Sequence, residues 1–231
     1  MLPVAILAGG LATRIKPISD SIPKSLIEIN GKPFLEWQLQ LLEKNKCESA
    51  IICVSHKSEM IEEFIRKREK SNLEVRFSSD GEKQLGTGGA LIKAKNLLGT
   101  AFMVLYGDSY LPVNFSEIAD CFLKSNKLGL MTVMKNDLQS EPSNVVFING
   151  YVQKYNKNSP EEAMDFIDFG LNVFKSAVFD TYPLNESIDL STIQSELAGR
   201  HELAGYQVDQ RYYEVGSFQG IKDFENYTRG L

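Results

Sequence analysis

Two glycines and two cations near the start of the chain have the types and spacing to hold a polyphosphate. Leu7-Ala8-Gly9-Gly10-Leu11-Ala12-Thr13-Arg14 follows a short apolar run, and Lys24 comes ten residues after Arg14. Gly9 and Gly10 lack Cβ, so the backbone there can turn sharply and bring its N–H groups close to phosphate oxygens. Arg14 adds a charged fork of donors and Lys24 a compact second cation. There is no GxxxxGK[ST] and no third glycine of the dinucleotide fingerprint, so a plain tight turn is the ordinary reading of this segment alone. Farther along, Tyr106-Gly107-Asp108-Ser109 places a carboxylate after the apolar run Phe102–Leu105, where a hard cation such as Mg²⁺ could bind oxygen. A turn-forming aspartate is the ordinary alternative. Leu85-Gly86-Thr87-Gly88-Gly89 is a second glycine-rich stretch with Glu82 just ahead of it.

These residues need a scaffold that gathers them. Val4–Ala8, Ser49–Ser55, Glu74–Ser78 and Ala101–Tyr106 read as strands. Pro33–Asn45, Ser58–Lys70 (capped by Ser58), Gly88–Leu98 and Phe115–Ser125 read as helices between or after them. Strands alternating with helices imply βαβ units and a largely parallel sheet, whose ligands bind beyond the strands' carboxyl ends. From Leu128 onward the pattern turns strand-rich: Leu128–Met134, Asn144–Ile148, Tyr151–Tyr155 and Phe166–Phe174. Asn149-Gly150 is a hairpin signal, and helices follow near Asp189–Ala198 and from Ser217, a fitting N-cap, to about Tyr227. The expected fold is α/β: a single Rossmann-like three-layer domain over residues 1–231, with a mostly parallel mixed sheet. Its halves divide near residues 127 and 128, the second being β-rich.

The order of these segments resembles the sugar-1-phosphate nucleotidyltransferases. Their pattern L-A-[AG]-G-x-G-T-R-[LM]-x-P, P-K-x-[LM] and G-[KR]-P stands here as Leu7–Pro17, Pro23–Leu26 and Gly31–Pro33. Ala12 replaces a usual glycine. Leu85–Leu91 is similar to L-G-T-[AG]-G-[AS], and Tyr213-Glu214-Val215-Gly216-Ser217 to [WY]-x-D-[IV]-G-T, with Glu214 one methylene longer than the family's aspartate. The resemblance implies that Leu7, Ala8, Gly9, Gly10, Thr13 and Arg14 hold the nucleotide's phosphates, with Arg14 and Lys24 offsetting charge in the transfer. It implies that Glu82, Thr87, Gly88 and Gly89 face base and ribose, and that Asp108 and Glu214 ligate Mg²⁺. Lys154 and Gly170 fall at sugar-phosphate positions, and Asp168 would accept hydrogen bonds from sugar hydroxyls. Gln153 stands where relatives carry a sugar-gripping acid.

The implied substrates are an NTP and a sugar 1-phosphate, nearest to the short enzymes using GTP with mannose- or heptose-type phosphates, and close to short uridylyltransferases. Rivals are a cytidylyltransferase for another phosphate acceptor such as phosphocholine, and a nucleotide-binding regulatory module without catalysis. A glycosyltransferase would want a DxD site, which Asp108-Ser109-Tyr110 does not supply.

Bulk properties agree with such an enzyme. The chain has 231 residues, 43% hydrophobic and 24% charged, enough for a full core. A net charge of −5 argues against a broad nucleic-acid face. Cys47, Cys53 and Cys121 form no CxxC pair, so buried free thiols are expected rather than disulfides or zinc. The start Met1–Ala8 lacks the basic residues of a signal peptide and no apolar run nears the roughly 20 residues of a spanning helix, so the expectation is a cytoplasmic protein with no membrane partner. A homodimer stays open. His56 and His201 have no Cys, Ser or paired carboxylate at suggestive spacing, and Trp37 with the helical Phe residues reads as core.

Overall fold

The structure, a computed structural model, describes residues 1–10, 22–55, 57–137, 142–159 and 161–231. In chain order its elements are β1 (Val4–Leu7), β2 (Glu28–Ile29), β3 (Lys32–Pro33), α1 (Phe34–Lys44), β4 (Ser49–Val54), α2 (Ser58–Lys67) and β5 (Glu74–Ser79). There follow α3 (Gly86–Leu98), β6 (Ala101–Tyr106), β7 (Ser109–Tyr110), α4 (Phe115–Ser125), β8 (Gly129–Lys135), β9 (Val145–Ile148) and β10 (Tyr151–Tyr155). The last are β11 (Phe166–Lys175), α5 (Leu190–Gly199), β12 (Leu203–Gln207), β13 (Tyr213–Glu214) and α6 (Phe218–Thr228).

Nine strands form one mixed sheet in the order β5-β4-β1-β6-β11-β8-β12-β10-β9. The four strands from β5 to β6 are parallel, and so are β8 and β12. Strands β11 and β10 run against their neighbours. From β1 the chain moves outward to β4 and β5, then crosses back to β6 on the other side. That reversal opens a crevice at the carboxyl ends of β1 and β6.

Strand alternation explains the three layers. Val4, Ile6, Ala50, Ile52, Met103 and Leu105 face one hydrophobic cluster with Phe34, Leu39, Phe115 and Phe224 from α1, α4 and α6. Ala5, Ile51, Cys53, Phe102 and Val104 face the opposite cluster with Leu91, Ile193 and Leu197 from α3 and α5. Both sheet faces are covered, so β1, β4 and β6 read as unbroken apolar runs rather than alternating ones. Burying each large side chain of these clusters contributes about 1.5–3 kcal/mol.

Most expected elements form, with local corrections. Ser58 does not cap α2: Lys57 takes the N-cap position at φ 61 with no side-chain cap bond, and the helix ends at Lys67. Ser217 does cap α6, its side chain accepting from the Gly220 N–H at 2.9 Å. Asn149 and Gly150 turn β9 into β10 with φ of 51 and 83, both positive as a two-residue hairpin turn requires. Strand β12 escaped the sequence reading because Leu-Ala-Gly-Tyr-Gln has weak strand preference. Its Gly205 is set by tertiary packing: a Cβ there would lie 2.4 Å from the Phe147 ring. His201 occupies a left-handed turn at φ 57, and His56 lies outside the described residues.

Candidate active site

The carboxyl ends of β1 and β6 meet so closely that only glycine fits between them. The Gly107 N–H donates to the Leu7 carbonyl at 3.0 Å, and a Cβ on Gly107 would sit 2.5 Å from that oxygen. Gly9 lies against Ser55, whereas nothing stands within 4 Å of the Cβ position of Gly10. Beyond these ends opens a cavity of about 480 Å³ whose lining includes Leu7, Ala8, Gly9, Gly10, Lys24 and Asp108. Thr13 and Arg14 fall outside the described residues.

Lys24 and Asp108 form the charged centre of this cavity. Lys24 starts a 3-10 turn (Lys24–Leu26), and its Nζ donates to Asp108 Oδ2 at 2.8 Å. The turn carrying Asp108 is pinned from beneath by Gln38 of α1. This fully buried amide donates to the Tyr106 and Ser109 carbonyls at 2.9 and 2.8 Å. Strand β13 pairs antiparallel with β7, setting Glu214 opposite Ser109, and the Val215 N–H donates to the Asp108 carbonyl at 2.9 Å. The late acid therefore arrives beside the early lysine. A Cβ on Gly216 would lie 2.7 Å from Glu214 Oε2, 3.0 Å from Lys24 Nζ and 3.6 Å from Asp108 Oδ2. Glu214 also turns back on its own helix: its carboxylate accepts from the Gly216 N–H and the Ser217 hydroxyl. Among the described residues no group of three or more His, Cys, Asp or Glu forms a ready metal cage.

At the other end of the cavity the structure revises the expected residues. Thr87 lines it, and its hydroxyl accepts from the Leu190 N–H at 2.8 Å. Glu82 is exposed and outside the lining, where Asp80 and Gln84 stand instead. Asp80 Oδ2 accepts from the Leu85 N–H at 3.1 Å, and Gln84 Nε2 donates to the Gly9 carbonyl at 3.4 Å. Burial raises the Asp80 carboxyl above its ordinary value, against opposing effects of that N–H and of Lys93. Gly88 and Gly89 face away from the cavity. Their N–H groups donate to the Ile188 carbonyl at 2.8 and 3.1 Å, and a Cβ on Gly89 would be 2.5 Å from the Glu186 carbonyl oxygen. These glycines admit the chain before α5. Cys53 also lines the cavity, its thiol pushed up to about 12 by burial and by Asp80, which removes it as a nucleophile.

Asp168 sits where β11 shifts register against β8, a bulge that re-aims its side chain. Its Oδ1 accepts from the Gly170 N–H at 3.0 Å and its Oδ2 from Gln194 Nε2 at 3.3 Å. Burial raises its carboxyl pKa, opposed by those donors. Gly170, at φ 102, places its Cβ position 3.6 Å from the ring of Tyr106, a cavity residue, so the Asp168–Gly170 segment adjoins the cavity. Lys154 does not join them: it is exposed and ion-paired with Glu161 at 2.6 Å. The lysine on this side is Lys157, 3.7 Å from Asp189 Oδ2; with the Ser191 hydrogen bonds its charge holds the Asp189 carboxyl below its ordinary value, and it only partly offsets the burial that raises Asp168. A second lysine just after the β10 segment was the available sequence signal.

A profile of the nucleotidyl transferase family matches residues 4–229. The chain belongs to this family. It is 30% identical over 225 residues to the mannose-1-phosphate guanylyltransferase catalytic subunit beta of Xenopus tropicalis, covering 95% of this chain and 61% of that protein. The chain thus spans about three-fifths of the length of that relative. It is 28% identical over 211 residues to the D-glycero-alpha-D-manno-heptose 1-phosphate guanylyltransferase of Campylobacter jejuni, covering 91% of this chain and 93% of the other. The crystal structure of HddC from Yersinia pseudotuberculosis superimposes with a TM-score of 0.85 at 23% identity, over 99% of this chain and 100% of that one. That likeness carries the expected α/β fold. No helix among the described residues is long and apolar enough to cross a membrane.

Proposed function

We propose that this nucleotidyl transferase joins a nucleoside monophosphate to a sugar 1-phosphate, with GTP and a mannose- or heptose-type phosphate as its pair. The observation that carries this is the Lys24–Asp108 pair, 2.8 Å apart, facing a cavity floored by Gly9 and Gly10 at the switch point of the sheet. A phosphate oxygen of the sugar attacks the α-phosphorus of the NTP. As that P–O bond forms, the bond from the α-phosphorus to the bridging oxygen breaks, and the electron pair leaves on pyrophosphate. Such transfers depend on positioning and charge neutralisation rather than on an enzyme nucleophile. Lys24 would neutralise charge at the α-phosphate, Arg14 charge on the departing pyrophosphate, and the Gly9–Gly10 backbone would orient the triphosphate.

The donor set also fits Mg²⁺, which prefers one or two carboxylates plus phosphate oxygens. The Asp108 side chain is 37% exposed toward the cavity and would hold the ion directly. Glu214, its oxygens occupied by the start of α6, would fix the position of Lys24 and Asp108 more than it ligates. When bound, the metal supplies positive charge beside the phosphates. We assign the base to the end lined by Asp80, Gln84 and Thr87, and the sugar to Asp168, Gly170 and Lys157. The expected setting is the cytoplasm.

A pyrophosphate-release screen of the four NTPs against sugar 1-phosphates, with and without Mg²⁺, tests the proposal. Activity with one NTP–sugar phosphate pair supports it. Tight nucleotide binding with no release across the panel would instead make the chain a binding module. Lys24→Ala and Asp108→Ala should each lower turnover by about 10²-fold or more, as for a lost transition-state contact.

A further inference from the structure

Ser25 borders the central cavity but is only 2% exposed, and its Oγ is itself sealed from solvent. Its Oγ has no hydrogen-bond partner among the described residues. A hydroxyl buried without a partner is costly, and native proteins leave few such groups. Another such orphan, Gln38 Oε1, has an internal reason: the same amide is already committed through its NH₂ to the Tyr106 and Ser109 carbonyls. No such tie holds Ser25, whose hydroxyl is its sole polar side-chain group. The residue follows Lys24 on the same 3-10 turn, so its backbone is positioned by the segment that carries the Lys24–Asp108 pair. The Lys24 ammonium favours anionic ligand groups, and the anionic oxygens of nucleotides and sugar phosphates are phosphate oxygens.

We propose that the Ser25 hydroxyl, sealed at the cavity wall in this structure, turns to donate to a substrate phosphate oxygen when the ligand seats against Lys24. The inference rests on the activity proposed above. A buried hydroxyl that has no partner among the described residues and gains one on binding strengthens the ligand's hold at a small cost to the free protein. A serine bound to its own backbone would do the reverse.

Wild type, Ser25→Ala and Ser25→Cys are compared by thermal melting of the free protein and by calorimetric titration with Mg²⁺-GTP and with mannose 1-phosphate. Ser25→Ala should melt at or above the wild-type temperature, because the unsatisfied hydroxyl is gone. Its affinity for at least one of the two ligands should fall about tenfold, as for a lost bond to a charged group. Ser25→Cys, a weak donor of similar size, should fall in the same direction. A loss confined to GTP assigns the bond to the triphosphate, and one confined to mannose 1-phosphate assigns it to the sugar phosphate. Affinities within about twofold of wild type for both ligands, or a free Ser25→Ala protein melting well below wild type, would overturn the inference while leaving the activity standing. Failure of the wild-type protein to bind either ligand would overturn both.

Discussion

Replacing Gly216 by alanine adds one methyl group where three charged side chains converge. The new carbon would stand 2.7 Å from Glu214 Oε2, 3.0 Å from Lys24 Nζ and 3.6 Å from Asp108 Oδ2. Non-bonded heavy atoms around carbon settle near 3.5 Å, so Glu214 must withdraw by roughly 0.8 Å and Lys24 by roughly 0.5 Å. Neither moves freely. Glu214 is held by the Gly216 N–H and the Ser217 hydroxyl, and Lys24 by Asp108 at 2.8 Å. The fold should survive, since overpacking of this kind costs about 1–3 kcal/mol. A displacement approaching 1 Å at reacting groups costs about 10²-fold in rate, so turnover should fall by about that factor. The assay is pyrophosphate release at saturating substrates, with thermal melting to show that the variant is folded. Gly199→Ala serves as the control, because nothing lies within 4 Å of its Cβ position. If Gly216→Ala turns over within about threefold of wild type, the Lys24–Asp108–Glu214 cluster is not the reacting centre.

Other perturbations separate structural from functional roles. Gly107→Ala drives a Cβ to 2.5 Å from the Leu7 carbonyl oxygen and 2.9 Å from Ala8 Cα, both backbone atoms. It should lose about 1–3 kcal/mol in denaturant unfolding, and wild-type stability would disprove that close approach. Lys157→Ala should raise KM for the sugar phosphate about tenfold, as for a lost charged contact, whereas Lys154→Ala, losing an exposed ion pair, should leave it unchanged. The reverse pattern in steady-state kinetics would restore Lys154 to the sugar site. Burial pushes the Glu43 carboxyl up, but hydrogen bonds from Ser71 and Arg68 and the Arg68 charge outweigh it, holding the pKa below the ordinary 4.5. Its stabilisation is therefore present above pH 4.5 and lost as pH falls through the lower, folded-state value. Acid melting curves of Glu43→Gln should be flatter than wild type in that window, and parallel curves would refute this.

Much of the fold was legible because both sheet faces are covered. Val4–Leu7, Ser49–Val54 and Ala101–Tyr106 appear as unbroken apolar runs, and each is followed by an amphipathic helix or a glycine turn. Gly9, Gly10, Lys24 and Asp108 were legible because a phosphate site needs glycine and cation types within short, local segments. What the chain alone could not convey was which faces those segments turn. Gly88 and Gly89 resembled a base platform, but they yield to the backbone of Glu186 and Ile188, a contact about a hundred residues away in sequence. Lys154 and Lys157 differ by three residues. The shifted pairing between Val152 and Lys154 in β10, and the ends of the strand beyond it, decide which one nears Asp168 and Asp189. The sequence by itself determined the strand–helix alternation and the glycine and charge types at strand ends, because those depend on local sterics and hydrophobic pattern. Only the tertiary structure decided that β13 pairs with β7. That pairing brings Glu214 and Gly216 against Lys24 and Asp108, because partners so distant along the chain are selected by packing of the whole sheet and not by any local preference.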